Sequence, residues 1–230
     1  MNFFFYHLYR DWAWTYDRVA DIVSLGQWKE WVFSSIPQIQ GPTVLELGYG
    51  PGHLQEKLVD STWKVYGIDS SPQMAKIALK RMRESEKTIN GGYAKFPRLV
   101  HCQAEYLPFP DSFFNTIVAT FPSDYIFEPA TLKSAYRVLK PGGKLIVLLT
   151  AWITGTSLPY RIAGWLFRTT GESSEMDPKW IQPIREAGFE PAFEWIELKY
   201  SRILMIRVTR PQSSPPQKPL LTQYDPVETK

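Results

Sequence analysis

The chain is organised around the stretch Val44-Leu45-Glu46-Leu47-Gly48-Tyr49-Gly50-Pro51-Gly52-His53-Leu54. The apolar residues before the first glycine predict a buried parallel strand over 43–47. Glycines then follow at every second position, which predicts a sharp turn where a ligand can approach the backbone without meeting a Cβ atom. From His53 onward the apolar residues have helical spacing. The stretch therefore predicts a strand, a ligand-binding turn and the N-terminus of a helix.

The spacing of these glycines differs from that of a dinucleotide-binding turn, which needs glycines at its first, third and sixth positions. Here the sixth position is His53, and the third glycine comes one residue earlier. The pattern resembles motif I of the class I S-adenosylmethionine (SAM)-dependent methyltransferases, and among them the UbiE/methyltransferase-11-like enzymes that act on small molecules. The resemblance implies SAM as the methyl donor and places these motif residues at its binding site: Glu46, Gly48, Tyr49, Gly50 and Gly52.

Composition limits the class of protein. The 230 residues are 44% hydrophobic and 21% charged, which predicts a globular protein with one core. The net charge of +3 is mild and does not by itself argue for nucleic acid, which clustered Lys and Arg would indicate, so we expect no nucleic acid partner. The single cysteine, Cys102, excludes an internal disulfide and a Cys-rich zinc site. With neither a membrane span nor a convincing secretory signal, we expect a cytoplasmic protein, for which peripheral contact with a membrane stays open.

Apolar runs along the chain predict seven strands, over 43–47, 64–69, 98–103, 116–120, 144–150, 189–198 and 200–209. Helical spacing separates most of them, and the last two adjacent runs indicate an antiparallel pair with one strand inserted between its neighbours. The Leu-Lys-Pro-Gly-Gly segment, 139–143, predicts a turn with positive φ at Gly142 and Gly143. The fold class is therefore α/β, a Rossmann-like seven-stranded, mostly parallel sheet flanked by helices, with the last strand antiparallel.

The second strand ends in Asp69, 17 residues after Gly52. A carboxylate accepts hydrogen bonds through both oxygens, so Asp69 can pair with the two hydroxyls of a ribose. Ser71 and Pro72 then open a helix as N-cap and first helical residue. The resemblance implies that Ser70 and Met74 border the adenine, with a core position as the alternative for Met74.

The resemblance also assigns residues further along the chain. Gln103 and Ala104 stand where the family carries an acidic residue and an alanine against the adenine, so the glutamine is a departure from the pattern. Thr120 ends the fourth strand, and the following segment faces the transferable methyl group and the acceptor. Within it, Asp124 and Tyr125 are the candidate catalytic residues, as general base or for substrate positioning. Methyl transfer mainly requires alignment of donor and acceptor, so we expect no metal.

Aromatic residues concentrate near the N-terminus, where residues 1–40 hold eleven of them. They predict either a helical segment packed on the core or a lid over an apolar acceptor, with contact to a membrane interface as a further alternative. Tyr16 lies in a Tyr-Asp segment that resembles one in quinone methyltransferases, which implies contact with the methionine end of SAM. The SAM-binding domain then spans 41–210, with an aromatic cap insertion at 151–177, and the Pro-rich residues 211–230 predict a disordered tail.

These features together predict methyl transfer from SAM to a hydrophobic small molecule such as a quinone, a phenol or a lipid headgroup. An RNA or protein methyltransferase is an alternative, against which stand the mild charge and the segment Phe121-Pro122-Ser123-Asp124 in place of Asn/Asp-Pro-Pro-Tyr. A non-catalytic SAM-fold module is a second alternative, against which stand the intact glycine turn and Asp69.

Overall fold

The computed structural model of the protein describes residues 20–22, 24–59, 62–86, 98–155 and 178–212. Its strands are β1 Thr43–Leu47, β2 Lys64–Asp69, β3 Arg98–His101, β4 Phe114–Thr120, β5 Leu139–Ile153, β6 Glu190–Glu197 and β7 Ser201–Thr209. Its helices are α1 Trp28–Phe33, α2 His53–Val59, α3 Pro72–Glu86, α4 Pro129–Val138 and α5 Pro178–Glu186, with short 3-10 helices at Ile36–Gln38, Ala104–Tyr106 and Asp124–Phe127.

The strands form one sheet in the order β3-β2-β1-β4-β5-β7-β6. Strands β1 to β5 pair in parallel, whereas β7 runs antiparallel to both β5 and β6. The predicted fold class is confirmed, including the insertion of the last strand between its neighbours. The chain runs from β1 outward to β2 and β3 and then returns to β4 on the other side of β1, so the order reverses between β1 and β4. In open α/β sheets ligands bind at such a point.

Apolar side chains cover both faces of the sheet because successive residues of a strand point to opposite sides. On one face, Leu45 and Leu47 belong to a core that includes α4 and α5 residues such as Leu132 and Ile184. On the other face, Val44 packs in a core with residues of α1 and α2 such as Leu54. The sheet is therefore buried at its centre, and only its edges and ends face solvent.

Three strand predictions are corrected. β4 begins at Phe114 rather than Thr116. β3 ends at His101 rather than Gln103. The Cys102 N–H still donates a hydrogen bond to the Asp69 carbonyl of β2, but a 3-10 helix begins at Ala104. β5 begins at Leu139, so the Leu-Lys-Pro-Gly-Gly segment lies inside a strand whose pairing with β4 shifts register between Phe114 and Thr116.

Of the two glycines in that segment, only Gly142 has a positive φ, +78°. At Gly143 an added Cβ would lie 2.8 Å from the Lys140 carbonyl oxygen, so this glycine is explained by close backbone approach.

The N-terminal segment is described only from residue 20 onward, without residue 23, and this part contains helical residues on both sides of a turn. Residues 20–22 are helical, Leu25 and Gly26 both have positive φ, and α1 follows. The predictions for Tyr16, for most of the 151–177 insertion and for most of the tail lie outside the described residues. Within the described ranges, no helix has both the length and the apolar surface needed to cross a bilayer.

Candidate active site

A cleft of about 860 Å³ opens at the carboxyl ends of β1, β2 and β4. Parallel strands end at the same edge of a sheet, so the loops that follow them meet there. The turn after β1 supplies Gly48 to Pro51, the end of β2 with the start of α3 supplies Asp69 to Gln73, and the segment after β4 supplies Phe121 to Tyr125. The cleft thus brings together the glycine turn and the segments predicted to bind the ribose and the acceptor.

The three glycines of the turn have positive φ values of +71° at Gly48, +51° at Gly50 and +85° at Gly52. A Cβ added at Gly48 would lie 2.8 Å from the Tyr125 hydroxyl, whereas one added at Gly50 would meet no atom within 4 Å. At Gly52 it would lie 3.0 Å from the Ala78 Cβ, and this glycine does not line the cleft. Gly50 therefore faces open space where a ligand fits, while Gly52 allows α2 and α3 to pack closely.

The Asp69 carboxylate closes the glycine turn. Its Oδ2 accepts a hydrogen bond from the Gly50 N–H and its Oδ1 accepts one from the Ser71 N–H, both at 2.8 Å. Burial raises the pKa of Asp69, and these two backbone hydrogen bonds oppose that rise. A carboxylate has about four acceptor positions, so each oxygen keeps capacity for a ligand hydroxyl.

Glu46 lines the cleft and is almost fully buried, with 2% of its surface exposed. Its Oε2 accepts a hydrogen bond of 2.7 Å from Gln55 Nε2. Burial raises the pKa of Glu46 from 4.5 to about 8, although the bond from Gln55 works against this shift. The neighbouring Tyr49 is also buried, and burial followed by the Asp69 charge raises its pKa to about 12. At neutral pH, therefore, both side chains are predominantly protonated.

We expect the Glu46→Gln variant to remove a pH-dependent part of the stability. The unfolded chain releases the Glu46 proton near pH 4.5, whereas the native state holds it up to about pH 8, so wild-type stability falls as the pH rises between these values. The glutamine cannot titrate, and its carbonyl oxygen can still accept from Gln55. From pH 5 to pH 8, wild-type unfolding free energy should fall relative to the variant by on the order of a few kcal/mol. Urea unfolding of both proteins measures this difference, and a constant gap across the range would contradict it.

Three predicted adenine contacts, Ser70, Gln103 and Ala104, line the cleft, while Met74 does not. Met74 is fully buried against Ala20, with Trp28 and Ile77 beside it, which is the core position left open by the sequence. On the far side of Asp69, His101 Nε2 lies 3.0 Å from the Ser70 carbonyl oxygen. The ring nitrogen must donate there because a carbonyl only accepts, which orients the loop that carries Ser70.

On the acceptor side, Thr120, Asp124 and Tyr125 all line the cleft. The Tyr125 hydroxyl donates to the Leu47 carbonyl at 3.3 Å, so its ring stands over the start of the glycine turn. Asp124 is exposed and begins a 3-10 helix. The two candidate catalytic side chains therefore share one short segment, with the carboxylate toward solvent and the phenol toward the turn.

The match to known families covers most of the chain. A model of the ubiE/COQ5 methyltransferase family matches residues 5–169. The chain belongs to the ubiE/COQ5 methyltransferase family.

Curated relatives agree with this membership. The ubiquinone/menaquinone biosynthesis C-methyltransferases UbiE of Escherichia fergusonii and Citrobacter koseri are each 36% identical to the chain over 149 residues. Each match spans 62% of this chain and 57% of the relative. The chain therefore aligns with little more than half of the length of these relatives.

Solved structures share the fold at lower identity. A SAM-dependent methyltransferase from Thermotoga maritima has a TM-score of 0.58 and 22% identity, over 89% of this chain and 99% of its own. Geranyl diphosphate C-methyltransferase from Streptomyces coelicolor has a TM-score of 0.54 and 13% identity, over 79% and 78%. The cyclase SpnF has a TM-score of 0.56 and 18% identity, over 80% of each chain. Because one of these proteins is a cyclase, the structural similarity supports the fold only, and the reaction has to be inferred from the residues of the site.

Two residues at the cleft of this ubiE/COQ5 family member were not predicted as site residues. Ser71 fixes Asp69 through its N–H, and Trp28 lines the cleft together with Phe121, which begins the segment predicted to face the acceptor. The eleven aromatic residues in 1–40 drew attention to the N-terminal segment as a whole. No sequence signal distinguished Trp28 from the others, because its position depends on a turn at Leu25 and Gly26.

Proposed function

We propose that the chain transfers a methyl group from SAM to a hydrophobic small molecule. The observation that carries the proposal is the Asp69 carboxylate held against the Gly50 N–H, beside a glycine whose missing Cβ leaves open space. These residues fit SAM, because acceptor oxygens stand ready for ribose hydroxyls next to a backbone that a ligand can approach. When bound, SAM supplies an electrophilic methyl group on a sulfonium sulfur.

The residues divide the work of binding. Asp69 accepts from the ribose, the backbone from Gly48 to Gly50 meets the methionine part, and Ser70, Gln103 and Ala104 border the adenine. Glu46 and Tyr49 line the cleft at the glycine turn and complete the donor site, and Thr120 lines the cleft between the donor and the acceptor. Tyr16 completes the methionine end in this proposal.

On the acceptor side, we assign Asp124 as the group that accepts a proton from the acceptor. Its exposed carboxylate lies at the cleft, where it can come within hydrogen-bond reach of a bound acceptor, as a general base must. Tyr125 is held to the Leu47 carbonyl and positions the acceptor beside the glycine turn. The apolar residues around the cleft exclude water and hold the acceptor in line, and alignment of this kind lowers a barrier by roughly 7–11 kcal/mol.

The acceptor proposed is an apolar, quinone-like molecule. The named activity of the UbiE relatives is C-methylation in ubiquinone and menaquinone biosynthesis, and the rings at the acceptor end of this cleft suit such a compound. We further propose a cytoplasmic protein with peripheral membrane contact, residues 1–40 as the lid, 41–210 as the SAM-binding domain and 151–177 as the cap.

Methyl-labelled SAM incubated with the protein and fractionated cell extract tests the proposal. We expect label in the organic phase, in a compound that elutes with apolar rings. Label in RNA or protein would replace the proposal with that activity, and no label despite calorimetric binding of SAM would identify a non-catalytic module. A heat-treated protein sample serves as the control for chemical methylation by SAM itself.

A further inference from the structure

Three aromatic rings form a wall at the acceptor end of the cleft: Trp28, Trp31 and Phe121. The Trp28 and Phe121 rings are 5.1 Å apart between centroids, with 38° between their planes. Trp31 lies behind both, 6.4 Å from Trp28 and 6.2 Å from Phe121. Of the three, Trp28 and Phe121 line the cleft, whereas Trp31 is buried. The wall therefore presents two tilted rings to a ligand and keeps the third as their support.

The support is fixed to the sheet. The Trp31 indole Nε1–H donates to Ser201 Oγ on β7 at 2.7 Å, in a buried position. At the other side of the wall, the backbone N–H of Trp28 donates to Ser24 Oγ at 2.9 Å, and the Trp28 ring packs against the cluster of Ala20 and Met74. A hydrogen bond fixes the Trp31 ring, and packing restricts the Trp28 ring, so the wall is preorganised for a ligand.

Phe121 occupies an unfavourable backbone conformation, with φ of +50° directly after β4. Its N–H donates to the Leu148 carbonyl at 2.8 Å, which continues the pairing of β4 with β5 and holds the residue there. Left-handed φ is uncommon for a residue with a large side chain, and such strain is retained at functional sites when the surrounding structure enforces it. The consequence at this position is a phenyl ring turned toward Trp28 and the cleft.

We propose that Trp28 and Phe121 determine acceptor specificity by binding a planar ring and discriminating against a flexible chain of similar apolar size. This inference rests on the proposed function, because it concerns the acceptor of that same cleft. Aromatic faces favour a second ring in stacked or edge arrangements beyond the general effect of apolar burial. A chain loses rotational freedom when it is held against a rigid wall, whereas a fused ring has none to lose.

Two neutral probes test the proposal in the presence of saturating S-adenosylhomocysteine: 2-naphthol as the ring, and decan-1-ol as a chain with the same number of carbon atoms. Ligand-observed NMR titration gives the dissociation constant of each probe and the ring-current shift of its protons. Trp28→Leu keeps apolar contact with Met74 and removes the ring. Phe121→Gly removes the ring and also relieves the backbone, so it remains informative if the first variant folds poorly.

We expect each variant to weaken 2-naphthol about tenfold and decan-1-ol by no more than about twofold, with loss of the upfield shift of the naphthol protons. Trp195→Leu is the matched control, since Trp195 is 45% exposed on β6 and does not line the cleft; it should change neither probe. Equal weakening of both probes, or weakening of neither, overturns the proposal. Calorimetry with S-adenosylhomocysteine is separate: failure of the wild type to bind it would overturn the proposed function instead.

Discussion

Replacing Asp69 with alanine should weaken SAM binding by about 10- to 100-fold, the scale of lost hydrogen bonds to a charged group. The substitution removes the acceptors that we propose for both ribose hydroxyls. It also removes the bonds of 2.8 Å that the carboxylate makes with the Gly50 and Ser71 N–H groups, so the glycine turn loses its closure. Isothermal titration with SAM and with S-adenosylhomocysteine measures the effect, while circular dichroism verifies that the sheet is intact.

Asp69→Asn separates the two roles of this side chain. Asparagine retains one acceptor oxygen and the shape of the carboxyl group, so it can keep a single bond to the turn and lose part of the ribose contact. We expect its affinity to fall between those of the wild type and the alanine variant. If the alanine variant folds and binds both ligands as tightly as the wild type, Asp69 does not belong to the donor site.

Gly50→Val should abolish measurable SAM binding while the protein stays folded. An added Cβ meets no protein atom within 4 Å, so the new side chain occupies space proposed for the ligand rather than space filled by the core. The φ of +51° makes a branched residue strained, which costs roughly 1–2 kcal/mol of stability. Calorimetry and thermal unfolding of the same sample separate loss of binding from loss of fold.

Gly52→Val is the matched comparison, two residues away in the same turn. Here an added Cβ would lie 3.0 Å from the Ala78 Cβ and 3.2 Å from the Met82 Cε, so the main effect should be a lower Tm as α2 and α3 are pushed apart. A Gly50 variant that binds SAM normally would show that the ligand approaches the turn elsewhere. Equal Tm losses in both variants would show that Gly50 is also a packing glycine.

Sequence alone predicted the elements around the glycine turn because several local signals agree there. The predicted bounds of β1 and β2 match the structure, since a mainly apolar run ends before Gly48 in one case and at Asp69 in the other. The start of β5 was wrong because Pro141 and Gly142 are typical of turns. In the structure the Gly142 N–H and the Gly143 carbonyl instead pair with Arg210, nearly seventy residues away, which no local pattern reports.

The role of a site residue could be predicted where it follows from the type of side chain at the end of a strand, as for the Asp69 carboxylate. Roles that depend on packing were harder to predict. Met74 follows Asp69 closely in sequence, yet the first turn of α3 directs it into the core beside Ala20. Trp28 and Phe121 reach the cleft only because Leu25, Gly26 and Phe121 adopt positive φ, and positive φ at a leucine or a phenylalanine is not anticipated from residue type.

The bond between Trp31 and Ser201 joins residues separated by 170 positions, and this has a consequence for the order in which the protein is assembled. The glycine turn, Asp69, Gln103 and Tyr125 all emerge from the ribosome before β5, β6 and β7 are made. The support of the aromatic wall, in contrast, requires a strand close to the C-terminal end of the described chain. During synthesis, which proceeds from the N-terminus, the residues that we propose to hold the donor are therefore made first, and the aromatic wall gains its anchor only when β7 enters the sheet.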